Sequence, residues 1–166
     1  MNQKKIKLIS TLAIILSVPA YALPDDQSQP ISVEADKATF DQKSGVATYK
    51  GNVIATQGSI RIVAESLIIN TNTATSAFQS LHASGTPSEV SQVLDEAGTL
   101  LKATGNTLDY DTSAGELEIH KNGFLKRGDN EIAADYIHYF METDVFNAEN
   151  RGSGRVNMTL QPATEQ

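Results

Sequence analysis

The sequence contains no cysteine. Disulfides, Cys–zinc sites, iron–sulfur clusters and thiol catalysis are therefore excluded, although an exported chain could have used disulfides. Basic residues are few, 13 against 20 acidic ones, for a net charge of −7. Nucleic-acid affinity comes mostly from neutralising phosphates, and docking on anionic membranes needs basic patches, so neither partner suits this chain. No stretch keeps a 3.6-residue apolar period, so no amphipathic helix is expected. The three histidines, His82, His120 and His138, show neither HxH nor HxxxH spacing, and no zinc site is expected. No G-x-S-x-G elbow, P-loop or dinucleotide fingerprint occurs. Asp109 and Asp111 put two carboxylates on one face of a strand, and their simplest reading is a solvated face.

One long apolar run is present, and it stands at the N-terminus. Lys4, Lys5 and Lys7 make a positive n-region, Ile6–Val18 is the apolar run, and Ala20-Tyr21-Ala22 follows as an A-x-A cleavage site. This predicts a secretory signal peptide over 1–22, too short to span a bilayer comfortably. Cleavage after Ala22 leaves 144 residues. It removes three basic residues and no acidic one, giving a net charge of −10. A chain of this length fits one domain with an ordinary core. The expected organisation is a signal peptide over 1–22, a single β domain over 23–160 and a short tail over 161–166.

The rest of the chain repeats a strand–corner–strand unit. In Ser59–Asn70, Ile60, Ile62 and Ala64 carry the apolar face up to Ala64-Glu65, and Leu67 and Ile69 carry it in the opposite phase afterwards. Such a phase change marks a strand that kinks. The unit returns as Ile31-x-Val33-x-Ala35-Asp36 to Phe40, as Leu101-x-Ala103-x-Gly105-Asn106 to Tyr110, and as Ile132-x-Ala134-Asp135 to Tyr139. The corner residues Asp36, Glu65, Asn106 and Asp135 lie 29, 41 and 29 apart. Residues 31–70 and 101–140 are therefore two copies offset by 70, with a one-residue slip near Asn122-Gly123. Asp41–Gly45 and Asp111–Gly115 are matching turns, and Lys50-Gly51-Asn52 matches Lys121-Asn122-Gly123. Ser84–Pro87 reads as a loop and Ser88–Glu96 as an irregular strand. Short strands at even spacing with Gly, Asn and Asp turns predict an all-β fold. Repetition predicts an elongated two-walled structure, each strand crossing between walls at its corner.

On this alternation Ile31, Val33, Phe40, Ile60, Ile62, Leu67, Ile69, Leu101, Leu108, Tyr110, Leu117, Ile119, Ile132, Ile137 and Tyr139 point inward. They form either a plain hydrophobic core or, if the walls part, a groove for apolar chains. Ser28–Val33 and Val156–Leu160 are expected end strands with unpaired backbone. Ser32, Val33, Val156 and Met158 are the candidate edge residues for adding another strand, unless loops or the tail cover them.

One block carries a family resemblance. Gln29-Pro-Ile-Ser-Val-Glu-Ala-Asp36, followed by Tyr49-Lys-Gly-Asn-Val-Ile-Ala-Thr-Gln-Gly-Ser-Ile-Arg-Ile-Val-Ala-Glu65, resembles the OstA-like family of lipopolysaccharide-transport proteins. Its most specific part is G-N-V-x-x-x-Q-G-x-I-x-I-x-A-[DE]. The likeness thins out through Ile132-Ala-Ala-Asp135. The resemblance implies an antiparallel β-jellyroll, V-shaped in section, that holds lipopolysaccharide acyl chains between its walls. It implies head-to-tail oligomers bridging the periplasm from an LptC-like inner-membrane protein to an LptD-like outer-membrane protein. Transport would be driven by an ATPase elsewhere, so no catalytic residue and no cofactor is expected. Matching motif positions makes Ile31, Val33, Phe40, Ile62, Val90, Tyr110, Leu117 and Ile132 the lipid-facing candidates. Ile69, Leu108, Ile119 and Tyr139 join them from the inward set. The alternatives are a fibre-type β subunit with a closed core and no lipid, the membrane-anchored partner LptC, and a polysaccharide lyase, which would need carboxylates and basic residues clustered in a groove.

Overall fold

Residues 26–75, 77–152 and 154–162 are described by a computed structural model. The expected signal peptide over 1–22 and the last four residues of the expected tail lie outside the described residues. After a 3₁₀ turn at Asp26–Ser28 come ten strands: β1 (Ser32–Glu34), β2 (Lys37–Asp41), β3 (Val46–Gln57), β4 (Ile60–Thr71), β5 (Phe78–Val93), β6 (Leu100–Asp111), β7 (Glu116–Arg127), β8 (Asn130–Phe140), β9 (Val145–Glu149) and β10 (Asn157–Thr159). All ten belong to one antiparallel sheet ordered β1-β3-β4-β5-β6-β7-β8-β10, with β2 also on β3 and β9 also on β8. The fold is all-β, as the alternation predicts.

The sheet folds over along one line. Register breaks between Lys50 and Val53 on β3, Val63 and Ser66 on β4, Ser84 and Ser88 on β5, Thr104 and Thr107 on β6, and His120 and Gly123 on β7. A bulge adds residues to one strand and bends it, and aligned bulges bend the whole sheet. Alternation reverses there: β4 buries Ile62 and Ala64 before the break, then Leu67 and Ile69 after it. Both halves of the strand thus turn their apolar residues toward the inside of the fold, and the sheet becomes two facing walls.

The corners anchor this line. Gly51-Asn52 of β3 oppose the single residue Glu65, and 70 residues on Lys121-Asn122 of β7 oppose Asp135. All four bulge residues have positive φ: 81° and 46° in the first pair, 59° and 56° in the second. Asn52 Nδ2 donates to Asp36 Oδ2 at 3.0 Å, and its counterpart Asn122 Nδ2 donates to Asn106 Oδ1 at 3.2 Å. The two copies therefore match with an unbroken offset of 70. The slip expected at Asn122-Gly123 does not exist. Lys121, not a glycine, occupies the left-handed position. Gly123 is needed for another reason: a Cβ there would stand 3.0 Å from the Ala134 carbonyl. The matching turns are real, since Asp41 Oδ1 accepts the Lys43 N–H at 2.9 Å and Asp111 Oδ1 accepts the Ser113 N–H at 2.8 Å. Asp41 is held below its ordinary range chiefly by the Lys43 N–H, and Asp111 chiefly by the Ser113 hydroxyl together with the Ala114 and Ser113 N–H groups.

Ser84–Pro87 is not a loop. It is the bend of β5, where Gly85-Thr86-Pro87 bulge against the single residue Asn106. A bulge has no ladder bond to donate, so proline is tolerated there. Beyond it Ser88–Val93 forms a regular ladder with β6.

The fully enclosed side chains sit beside the fold line: Val53, Leu67, Leu108, Ile119 and Ile137. Each such side chain contributes about 1.5–3 kcal/mol by leaving water. At both ends of the sheet the terminal strand is split at the corner level. β1 and β2 share the two halves of β3, and β10 and β9 share the two halves of β8.

Gly51 and Gly98 separate conformation from contact. Both have φ near +80°, but a Cβ on Gly51 would run into the Asp36 carboxylate, whereas one on Gly98 meets nothing. Gly98→Ala is expected to cost the left-handed penalty alone, about 1–2 kcal/mol. Gly51→Ala is expected to cost more, with a lower urea midpoint. Equal midpoints for the two variants would show that the Asp36 contact does not hold the corner.

Candidate functional site

Cross-strand pairing sorts the inner residues into rows. In one wall Ala47, Ile69, Leu81, Tyr110, Leu117 and Tyr139 stand opposite one another from β3 to β8, with Phe40 and Phe146 at the ends. In the other wall Ala55, Ile62, Val90, Ala103, Leu125 and Ile132 do the same, with Val33 and Met158 at the ends. Directly opposed residues share a face, so both rows look into the space between the walls.

A cavity of about 370 Å³ occupies the β3–β7 part of that space. One wall contributes Ala55, Ile60, Ile62, Val90 and Leu101; the other contributes Ile69, Phe78, Leu81, Tyr110, Leu117 and Met141. Leu108 lies near the fold line, and Ile31 enters from the N-terminal segment. The polar lining is confined to Thr56, Gln57, Ser91, Gln92 and Glu142. Phe78 stacks on Tyr110 with ring centroids 6.1 Å apart. Burial, and secondarily the charge of Asp111, push the Tyr110 phenol up, so it stays neutral. The lining has the apolar bulk and the few polar groups of a site for an apolar ligand.

Of the twelve groove candidates, the structure brings seven into this lining: Ile31, Ile62, Ile69, Val90, Leu108, Tyr110 and Leu117. Five lie elsewhere. Ile119, Ile132 and Tyr139 are buried core outside the cavity lining. There Leu125, Ile132 and Tyr139 fill the two rows, where β3 carries Ala47 and Ala55; in a further row nearer the fold line Ile137 stands where β5 carries Ala83. Tyr139 is also tied down, its hydroxyl donating to Asp144 Oδ1 at 2.8 Å. Burial, with that bond second, pushes its phenol up to about 12. Val33 packs against the core from β1 without lining the cavity. Phe40 is 60% exposed; it is on the inner face opposite Ala47, but β2 is an end strand and no described residue covers it.

Ala55, Phe78, Leu81 and Met141 also line the cavity, as do Ile60 and Leu101, which alternation turns inward. Leu81 is detectable only through register, since it stands between Ile69 and Tyr110. Of the four edge candidates, Ser32 and Val33 are on β1, Met158 is on β10, and Val156 immediately precedes β10. β1 and β10 end the same wall at opposite ends of the sheet.

The histidines face outward on the β5–β8 wall. His82 Nδ1 is 2.6 Å from Asp109 Oδ1, His138 Nε2 is 3.0 Å from Glu116 Oε2, and His120 Nε2 is 3.5 Å from Glu118 Oε2. Asp111 is engaged in its turn. Among the described residues no group of three or more His, Asp or Glu could hold a metal ion.

Known proteins place this arrangement. The family model described as LptA/(LptD N-terminal domain) LPS transport protein matches residues 32–145. The lipopolysaccharide export system protein LptA of Haemophilus influenzae is 32% identical, over 98% of this chain and 94% of its own length. LptA of Escherichia coli K12 is 26% identical over 99% and 89%, and LptH of Pseudomonas aeruginosa is 27% identical over 94% and 97%. The crystal structure of LptH, titled the LptA-homologous periplasmic component of the conserved lipopolysaccharide transport device from Pseudomonas aeruginosa, superposes with a TM-score of 0.74. That match covers 84% of this chain and 100% of the LptH chain, at 26% identity. A bent antiparallel sheet with an apolar cavity between its walls, and a family match over most of its strands, lead to one assignment: the chain belongs to the LptA/LptD N-terminal domain family of lipopolysaccharide transport proteins.

Proposed function

We propose that this protein is a periplasmic carrier that holds lipopolysaccharide by its acyl chains between the two walls. In this reading it passes the lipid along head-to-tail oligomers from an LptC-like inner-membrane protein to an LptD-like outer-membrane protein. The observation that carries the reading is the apolar cavity shared by the Ile62 and Ile69 sides of β4 and roofed by Tyr110 and Leu117. Each methylene taken from water contributes about 0.8 kcal/mol, so a chain of about a dozen contributes roughly 10 kcal/mol before ordering costs. Such binding needs no charge complementarity, which suits an acidic chain facing an anionic glycolipid. Nothing in the carrier role requires the protein to make or break a bond. A fibre subunit with a closed core fits the structure less well, because the space between the walls stays open over the β3–β7 part.

The same reading uses the end strands. Among the described residues β1 and β10 end the sheet in one wall, and β2 and β9 end it in the other, with no further strand paired to them. Joining β10 of one copy to β1 of the next would continue both walls and the space between them. Ile31, Phe40, Val145, Val156 and Met158, all exposed at these ends, would be covered in such a stack.

Two measurements test this. Benzoylphenylalanine at Ile62 or Tyr110 is expected to crosslink lipopolysaccharide on irradiation, and the same group at the outward-facing Ile68 is not. Equal yields at all three positions would remove the groove as the lipid site. For the ends, Val33→Pro and Met158→Pro each delete a backbone donor on one edge and are expected to give monomers by light scattering. An equimolar mixture of the two is expected to give dimers, since each partner keeps one open edge. Unchanged oligomers in both variants would sink the edge-to-edge model.

A further inference from the structure

The N-terminal segment is fastened over one end of the cavity by bonds that the carrier reading leaves unexplained. Asp26, in the 3₁₀ turn, accepts three hydrogen bonds: from the Ser59 N–H at 2.7 Å, the Ser59 hydroxyl at 2.7 Å and Gln92 Nε2 at 3.0 Å. Gln57 Nε2 donates to the Gln29 carbonyl at 3.0 Å. The approach at the β3–β4 turn is close enough that a Cβ on Gly58 would meet Asp26. Gln57 and Gln92 are themselves cavity-lining residues, and so is Ile31, which directly follows the fastened segment.

Three features make this segment removable. First, its hold is polar and peripheral: the residues of the hydrophobic core and those packed against it begin only at Val33. Second, β1 adds only three residue pairs with β3, Ser32–Thr56 to Glu34–Ile54. Third, Ile31 is 45% exposed although it borders the cavity, so it covers the opening without sealing into it. Burial raises the Asp26 carboxyl, but the bonds from Ser59 and Gln92 outweigh it and hold the group low. The fastening is therefore ionised and intact at neutral pH.

We propose that residues 26–31 form a latch across the Gln57–Gln92 end of the cavity. Closed, it ends the apolar space at Ile31. Open, it releases the bonds from Gln57 to Gln29 and from Gln92 to Asp26 and extends the space to the edge of the wall, so that an acyl chain enters endwise. The latch rests on the acyl-binding reading above and adds to it a gate with named bonds.

The absence of native cysteine makes the test clean. Asp26→Cys with Ser59→Cys places one disulfide across the latch. Uptake of dansyl-labelled dodecanoic acid is followed by stopped-flow fluorescence in the full mature chain. The oxidised pair is expected to take up the probe about tenfold more slowly than its reduced form, and Asp26→Ala about tenfold faster than wild type, as loss of charge-assisted bonds allows. Circular dichroism of each variant checks folding. Should the double-cysteine variant not form its disulfide or not fold, Gln92→Ala, which removes one latch bond, is expected to accelerate uptake severalfold. Probe uptake that is the same in wild type, Asp26→Ala and Gln92→Ala overturns the latch and leaves acyl binding standing. No probe binding by wild type in any state overturns both.

Discussion

The structure depends on one constraint: each long strand must change its inward face halfway along. An antiparallel strand that keeps strict alternation turns one face to the core throughout, and a shift of one residue reverses it. Here the shift is built in at a fixed level. Gly51-Asn52 against Glu65, and Lys121-Asn122 against Asp135, insert one extra residue in left-handed backbone. Neighbouring strands bulge at the same height, so the reversals line up and the sheet closes on itself. Bury a corner or straighten it, and half of each strand would turn its isoleucines and leucines to water.

Much of this is legible in the sequence. The phase change within Ile60–Asn70, the acidic or amide residue at each corner and the offset of 70 describe the fold line almost completely. Glycine misled in two places. Gly123 drew the alignment one residue out of step, because a glycine in a turn-like run reads as the left-handed residue. In the protein Lys121 takes that conformation and Gly123 makes room for a carbonyl. Gly85-Thr86-Pro87 reads as a break, but a three-against-one bulge absorbs it without ending the strand.

The cavity was legible only in part, for a different physical reason. Alternation tells which side chains face inward. It does not tell whether the space they enclose is filled, because that depends on the summed volumes of residues from several strands at one level. Those sums need the register. Once it is known, Ala47, Ala55 and Ala83 on one side and Leu125, Ile132, Ile137 and Tyr139 on the other show why the β3–β7 part stays open while the β7–β8 part packs shut. Ile119, Ile132 and Tyr139 obey the alternation rule and still line no cavity. Phe40 obeys it and is still exposed, since nothing lies beyond an end strand.

The fold line runs across the strands, not along them, and this sets how the molecule can be lengthened. Eight strands, and so seven ladder steps, run from β1 to β10. At ~4.8 Å per step the two walls are about 34 Å long. Extending the strands would deepen the walls and leave that figure unchanged. Reach grows only by adding rungs, and the offset-by-70 duplication shows the chain has already done this once within itself.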